Sequence, residues 1–198
     1  SAGTNNESDS ALISWSRKWN DYHAAHVPSL SEDDPGLAEL LGWTLKASSP
    51  EFPEGTHCWT ERDGRFNELY IQREPNLVDR TLVAVCNLRP QGGGLGRQVT
   101  EAASRAGQHP LVLVRSIDFP TSPSAVVTRQ IAALVRPKGK GWKVVVSNAD
   151  WRAMAAFRAF HLENAKSPGF TEWQSTERPL SELRAIHAIL NLDSLLAS

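Results

Sequence analysis

Residues 81–114 have the sequence TLVAVCNLRPQGGGLGRQVTEAASRAGQHPLVLV, which predicts a strand, a helix and a second strand in succession. Leu82–Cys86 is a short apolar run of the kind found in strands that are buried on both faces. A glycine-rich turn leads into a helix from about Arg97 to Ala106, and Leu111–Val114 is the second apolar strand. This order indicates two parallel strands joined by a crossover helix.

The same alternation continues through residues 81–163. A helix capped by Ser122 or Ser124 is expected next, followed by a third strand over Trp142–Val146 and another helix. Alternating short apolar strands and helices are typical of a sheet covered by helices on both faces. We therefore predict an α/β fold whose central, mainly parallel sheet spans residues 81–147 and is flanked by helices.

The remaining parts of the chain flank this core. Residues 1–8 are small and polar, and they predict a flexible leader before a single domain over residues 9–198. Within residues 9–80 the patterns indicate helices and a β-hairpin, whose turn is signalled by Asp63-Gly64. Residues 167–198 predict a C-terminal helical cap.

Composition excludes several classes of protein. The chain of 198 residues has no apolar run long enough to span a membrane. Its two cysteines, Cys58 and Cys86, fall in predicted strands and indicate buried apolar groups rather than a disulfide framework, which favours a reducing, cytoplasmic compartment. His23 and His26 share a helix face without a third ligand at metal-site spacing. We predict neither a metal nor a cofactor.

Charge is distributed unevenly in a chain whose formal net charge is −1. Residues 89–143 carry nine basic and two acidic side chains, whereas residues 1–88 carry seven basic and fourteen acidic ones. Such a basic segment suits a polyanion or an acidic protein partner. The alternative is that the basic segment pairs with the acidic first part once the chain folds.

The stretch over residues 136–143, which carries Lys138, Lys140 and Lys143, is the strongest nucleic-acid candidate, because lysines on a glycine-rich loop can follow a phosphate backbone. Trp142 beside these lysines either stacks on a base or packs at the start of a strand. The residues predicted to contact phosphate are Arg89, Gly93, Gly94, Gly96, Arg97, Arg115, Arg129, Lys138, Lys140 and Lys143.

The glycine-rich turn over residues 92–96 has two interpretations. It either brings backbone N–H groups to an anion at a helix N-terminus or serves only as a crossover loop. It matches neither the Walker pattern nor the dinucleotide fingerprint, since Arg97-Gln98 stands where lysine and a hydroxyl residue are required. Asp118 and Asn148 follow the next two strands, so they define a candidate site at the same sheet edge. For Asp118 alone, a helix or turn cap is the commoner explanation.

No catalytic residue is assigned. Glu61 and Glu68 lie on the predicted hairpin, but Glu68-Leu69-Tyr70 lacks the lysine that a restriction-type nuclease places after its glutamate. The chain also has no Gly-x-Ser-x-Gly elbow for a hydrolase serine. The sequence therefore favours a protein that is not an enzyme.

Residues 111–193 resemble a C-terminal accessory segment of large bacterial P-loop ATPases of the DNA-translocase type, which are often encoded near DNA-defence systems. The similarity covers less than half of the chain, and it implies an accessory module that works with a DNA-handling ATPase in cis or in trans. It assigns no functional residue. The similar stretches are Val114–Pro120, Trp142–Val146, Asp150–Met154, Arg178–Ser181 and Ile189–Asp193.

Three functional hypotheses follow. The first is a non-catalytic nucleic-acid-binding or recruitment module of a bacterial DNA-processing or defence system, with DNA as the partner. The second is a protein-interaction module that docks on an acidic partner or on a second copy of the chain. The contact would be made by its basic face or by the C-terminal helix with Leu183, Ile186 and Leu190. The third is a divergent nucleotide-binding enzyme that uses the glycine turn and Asp118.

Overall fold

The computed structural model describes residues 3–192, with side chains from residue 8 onward, and it has an α/β fold. The strands are β1 (His57–Asp63), β2 (Phe66–Glu74), β3 (Leu77–Val85), β4 (Leu111–Arg115) and β5 (Trp142–Val145). The described helices are α1 (Gly3–Ala25), α2 (Asp34–Ala47), α3 (Gly94–Ala106), α4 (Val126–Leu134), α5 (Asn148–Asn164), α6 (Phe170–Glu177) and α7 (Arg184–Leu190).

The five strands form one mixed sheet in the order β1-β2-β3-β4-β5. Strands β3, β4 and β5 are parallel, as predicted, but β1, β2 and β3 are antiparallel neighbours in the same sheet. The sheet over residues 81–147 is therefore only the parallel half. The connection between β2 and β3 is Pro75-Asn76, which is too short for a crossover and forces antiparallel pairing.

Each face of the sheet buries its own apolar cluster. On one face of the sheet, Val83 and Val85 pack with residues of α2, α5 and α7. Leu82 and Ala84 pack with α3 and α4 on the other. Because successive side chains of a strand point to opposite faces of the sheet, the apolar run that begins at Leu82 contributes side chains to both clusters.

An aromatic cluster fixes α1 to the C-terminal helices. Trp15 lies among Phe160, Phe170 and Trp173, with ring centroids 5.4–6.3 Å apart. The helix begins at Gly3, so the predicted leader is helical over the part that the structure describes, and residues 1 and 2 lie outside it.

The C-terminal helical cap packs onto the sheet. Ile186 and Leu190 are 0% and 3% exposed, and Leu183 lies against the same cluster. Self-association through this face is therefore wrong, because the face is already covered by the protein's own core. Asp193, the last residue of the similarity to ATPase segments, lies outside the described residues.

The start of α4 differs from the prediction. Ala125 is the N-cap of α4 and makes no side-chain cap bond, whereas Ser122 and Ser124 lie 3.0 Å apart, hydroxyl to hydroxyl. The prediction that one of these serines caps α4 is wrong.

Between Gly3 and Leu190, no described helix combines the length and apolarity that a membrane span requires.

Both cysteines are buried, and burial raises the thiol pKa of Cys58 to about 12 and that of Cys86 to about 11. Since the thiolate is the reactive form, we expect neither thiol of the native protein to react with a disulfide reagent at about pH 8. Both should react after unfolding in guanidinium, which serves as the control. Rapid labelling of the native protein would contradict this prediction.

Candidate nucleic-acid interface

Most of the basic segment is exposed and remains outside ion pairs with the acidic first part of the chain. Among the described residues, ion pairs connect the two parts at two places, Arg105–Asp63 and Arg65–Glu101, both with N···O distances of 2.7 Å. Seven of the nine basic side chains over residues 89–143 are exposed and belong to neither pair. The alternative in which folding neutralises the basic segment is therefore disfavoured.

Arg115, in contrast to these seven exposed residues, does not contribute to the basic surface. Its side chain is buried, and Nη1 donates to the carbonyl oxygens of Cys86 (2.6 Å) and Leu88 (3.1 Å). Burial also lowers the pKa of its guanidinium. Through these two hydrogen bonds Arg115 stabilises the loop after β3. We therefore do not include it among the residues proposed to contact phosphate.

The structure does not bring the other predicted residues into one site. Arg89 and Arg97 lie beside the glycine turn, at the carboxyl end of the parallel strands. Arg129 lies on α4 and Lys143 on β5. The loop with Lys138 and Lys140 lies between α4 and β5, at the amino end of those strands.

Two backbone amides of the glycine turn, those of Gly93 and Leu95, donate to carbonyl oxygens just before the turn. Gly92 and Gly93 have φ of 75° and 77°, the left-handed region that favours glycine. The amide of Gly93 donates to Pro90 O (3.2 Å), and that of Leu95 donates to Arg89 O (3.1 Å). These bonds support the crossover-loop interpretation, since an anion cradle needs N–H groups that point outward.

The same edge of the sheet holds the other residues of the predicted edge site. Gly94 and Gly96 lie in the first turn of α3, and Asp118 and Asn148 are exposed after β4 and at the start of α5. A Cβ added at Gly96 would meet only an ordinary contact, 3.6 Å from Gln130 Oε1. Gly96 is therefore not required for a close approach.

A polar network that the sequence did not reveal joins helices to this edge. Asp34 Oδ2 accepts from Gln98 Nε2 (2.7 Å) and from the amide of Asn87 (3.1 Å). Asn87 Oδ1 in turn accepts from the Ser116 amide (2.8 Å), and Trp151 Nε1 donates to Ser116 Oγ (3.0 Å). These groups satisfy one another, so the network stabilises the edge.

The opposite end of the parallel strands holds a basic cleft of about 370 Å³. We call it the amino-end cleft and define it by Arg73, Arg80, His109, Arg136 and Trp142. Arg80 Nη1 lies 3.5 Å from His109 Nε2, and the Arg136 guanidinium lies 5.3 Å from the centroid of the Trp142 ring. The amino-end cleft thus combines positively charged side chains with an aromatic ring.

Trp142 belongs partly to the core. Its ring is half-buried against the sheet cluster, and Nε1 donates to Ala188 O (2.9 Å). This geometry favours packing at the strand start, with Arg136 held over the ring by a cation–π contact. Trp142 thereby positions a cation of the cleft.

The basic loop over residues 136–140 continues the cleft on a fixed turn. The amides of Gly139 and Gly141 donate to Val135 O (2.9 Å) and Leu134 O (3.0 Å), and the Arg136 amide donates to Gly141 O (2.9 Å). Lys138 and Lys140 are exposed on this turn, and Lys140 Nζ donates to Gln108 O (3.3 Å).

Two carboxylates compensate part of the positive charge of the cleft. Arg73 pairs with Asp79 (3.0 Å), and Arg80 pairs with Glu68, which also accepts from Tyr70 Oη. The hydrogen bond from Arg80 is the main cause of the lowered pKa of Glu68. Among the described residues, the five basic side chains, counting Lys138 and Lys140 with the arginines, outnumber these two paired carboxylates.

Sequence reasoning missed Arg73, Arg80 and His109. Arg73 and Arg80 belong to the acidic first part of the chain, and His109 precedes β4. The structure brings them to the basic loop because β3 extends beyond the start of β4, where Leu82 pairs with Leu111. Residues 77–81 are exposed or half-buried and lack the apolar pattern of a buried strand, so sequence reasoning had no signal for this extension.

No three of the described His, Cys, Asp and Glu side chains are grouped in a way that would hold a metal ion. Comparison with known proteins found no family model, curated protein or solved structure that matches this chain.

Proposed function

We propose that this chain is a non-catalytic nucleic-acid-binding or recruitment module, and that it contacts the phosphate backbone through the amino-end cleft and the basic loop. The observation that carries the proposal is the convergence of five basic side chains at one end of the sheet. They are Arg73, Arg80, Arg136, Lys138 and Lys140.

The chemistry of these groups suits a sugar–phosphate backbone. Arginine guanidinium groups bind phosphate oxygens in a bidentate manner, whereas lysines act as point charges that tolerate variable geometry. Neutralising phosphates releases counterions, so binding should weaken steeply as salt increases. The proposed partner is DNA. From the resemblance of residues 111–193 noted in the sequence, we further propose a role beside a DNA-translocase ATPase in bacterial DNA processing or defence.

Replacing Arg136, Lys138 and Lys140 together with alanine should lower the affinity for DNA by roughly 100-fold at about 0.1 M salt. The slope of log K against log salt should fall by about 2 to 3, because three phosphate contacts are lost. Anisotropy of labelled DNA at several salt concentrations measures both quantities, and unrelated DNA sequences should be affected alike.

The matched control removes the same charge elsewhere. Arg89, Arg97 and Arg129 are also exposed, but they lie outside the cleft. Their triple alanine variant should lose only a few-fold in affinity. Equal losses in the two triple variants would refute the cleft as the contact site. Absence of DNA binding by the unmodified chain at low salt would refute the function, and an acidic protein partner would then be sought.

A further inference from the structure

An aromatic pair lies on the sheet face beside the cleft. Trp59 on β1 and Tyr70 on β2 are directly paired in register, and their rings stack with centroids 5.2 Å apart at 12°. Tyr70 is paired in turn with Arg80 on β3. Three neighbouring strands therefore place Trp59, Tyr70 and Arg80 in one row across the sheet.

No helix of residues 3–192 packs over this part of the face. Helix α3 packs on the same face, where it covers Phe66, Leu82 and Ala84. Both rings of the pair are half-exposed, and Val78, which shares their face, is 44% exposed. Because β1 is the outermost strand, the far face of Trp59 looks away from the sheet.

The row leads directly into the cleft. Tyr70 Oη donates to Glu68 Oε2 (3.0 Å), Glu68 pairs with Arg80, and Arg80 lies beside His109. The charge of Glu68 is thus compensated by Arg80. Glu61 is exposed on the same face near Trp59, so a phosphate is favoured on the Arg80 side and a neutral base on the aromatic side.

We propose that the ligand is a single-stranded nucleic acid, with phosphates in the amino-end cleft and an unpaired base stacked on Trp59 and Tyr70. This inference rests on the function proposed above. Bases stack on aromatic side chains only when they are free of a duplex, and such stacking supplies sequence-tolerant affinity for single strands.

The test compares a labelled single strand of about 15 nucleotides with its duplex by anisotropy. Trp59→Leu and Tyr70→Leu should each weaken single-strand binding by about 10-fold and leave duplex binding unchanged. Trp59→Phe retains a ring and should stay within about 3-fold of the unmodified chain. Leu77→Ala, an exposed apolar residue on the opposite face of the same sheet, is the matched control and should change neither affinity.

A second measurement does not depend on the stability of the leucine variants. Single-stranded DNA should quench the tryptophan emission of the unmodified chain, and Trp59→Phe should lose part of that quenching while it keeps its affinity. Unchanged quenching in Trp59→Phe would overturn the stacking.

The two proposals fail in different ways. If the cleft variant weakens binding but Trp59→Leu affects neither strand form, or affects both equally, the single-strand inference is overturned and the phosphate-binding function stands. If the unmodified chain binds neither form at low salt, both proposals are overturned.

Discussion

Replacing Glu51 with alanine is expected to lower the free energy of unfolding by about 3 kcal/mol. Glu51 is 6% exposed, and its carboxylate accepts from the amides of Leu180 (3.1 Å) and Ser181 (2.7 Å) and from Gln174 Nε2 (2.9 Å). Alanine would leave these buried donors without their acceptor. It would also separate the turn after α2 from the C-terminal helical cap.

The pH dependence gives this prediction a second readout. Burial raises the pKa of Glu51 above its ordinary value of 4.5, although the hydrogen bonds from Ser181, Gln174 and Leu180 lower it in part. The native carboxyl therefore holds its proton more tightly than the unfolded one. Its contribution to stability is complete below pH 4.5 and decreases as the pH rises through the native pKa. In Glu51→Gln this decrease should be absent.

Guanidinium unfolding between about pH 4 and pH 8 measures both effects. The matched control is Glu54→Ala, because Glu54 is exposed three residues further along. It should change the unfolding free energy by less than about 0.5 kcal/mol. Equal losses for the two alanine variants would show that the buried hydrogen bonds of Glu51 contribute nothing.

Replacing Gly141 with alanine is expected to cost about 3 kcal/mol of stability. A Cβ at this position would lie 2.1 Å from the carbonyl oxygen of Leu111 and 3.0 Å from that of Leu134. Both atoms belong to backbone, so relief requires the loop to move away from β4. The movement would displace Lys138 and Lys140, and DNA affinity should fall together with stability.

Gly96→Ala is the control, and we expect it to change the free energy of unfolding in the opposite direction. Gly96 lies in α3, and an added Cβ would meet only an ordinary contact there. Since alanine is the better helix former, this variant should be more stable by about 0.5 to 1 kcal/mol. Thermal unfolding of the two variants checks the pair of predictions. A stabilised Gly141→Ala variant would show that the loop moves without cost.

The parallel half of the fold could be predicted because β4 and the second half of β3 are buried on both faces. Such strands consist of consecutive apolar residues, as in Leu111–Val114, and are separated by helical patterns. The β-hairpin could also be predicted, since Gly64 in Asp63-Gly64 has a φ of 58° that favours glycine.

The antiparallel pairing of β2 with β3, which joins the hairpin to the parallel strands, was missed for a physical reason. Residues 77–80 of β3 form a strand whose two faces are largely exposed, so the sequence lacks the apolar pattern that marks a buried strand. Only pairing with β2 shows that these residues are extended. The single mixed sheet follows from that pairing.

The candidate site could be predicted only in part. Lys138 and Lys140 are close in sequence and were identified, but Arg73, Arg80 and His109 reach them through strand register. Arg115 was assigned the wrong role because a linear count of charge contains no information on burial. Its position at the end of an apolar strand was the signal for a buried arginine.

The outer strands of the described sheet bear on how the chain behaves at high concentration. Strand β5 has only four residues and exposes Lys143, while β1 ends in the charged sequence Glu61-Arg62-Asp63. A short outer strand, as in β5, and charged side chains on an outer strand, as in β1, disfavour the addition of a strand from another molecule. We therefore expect Lys143, predicted from the sequence to contact phosphate, to help protect this sheet edge against aggregation.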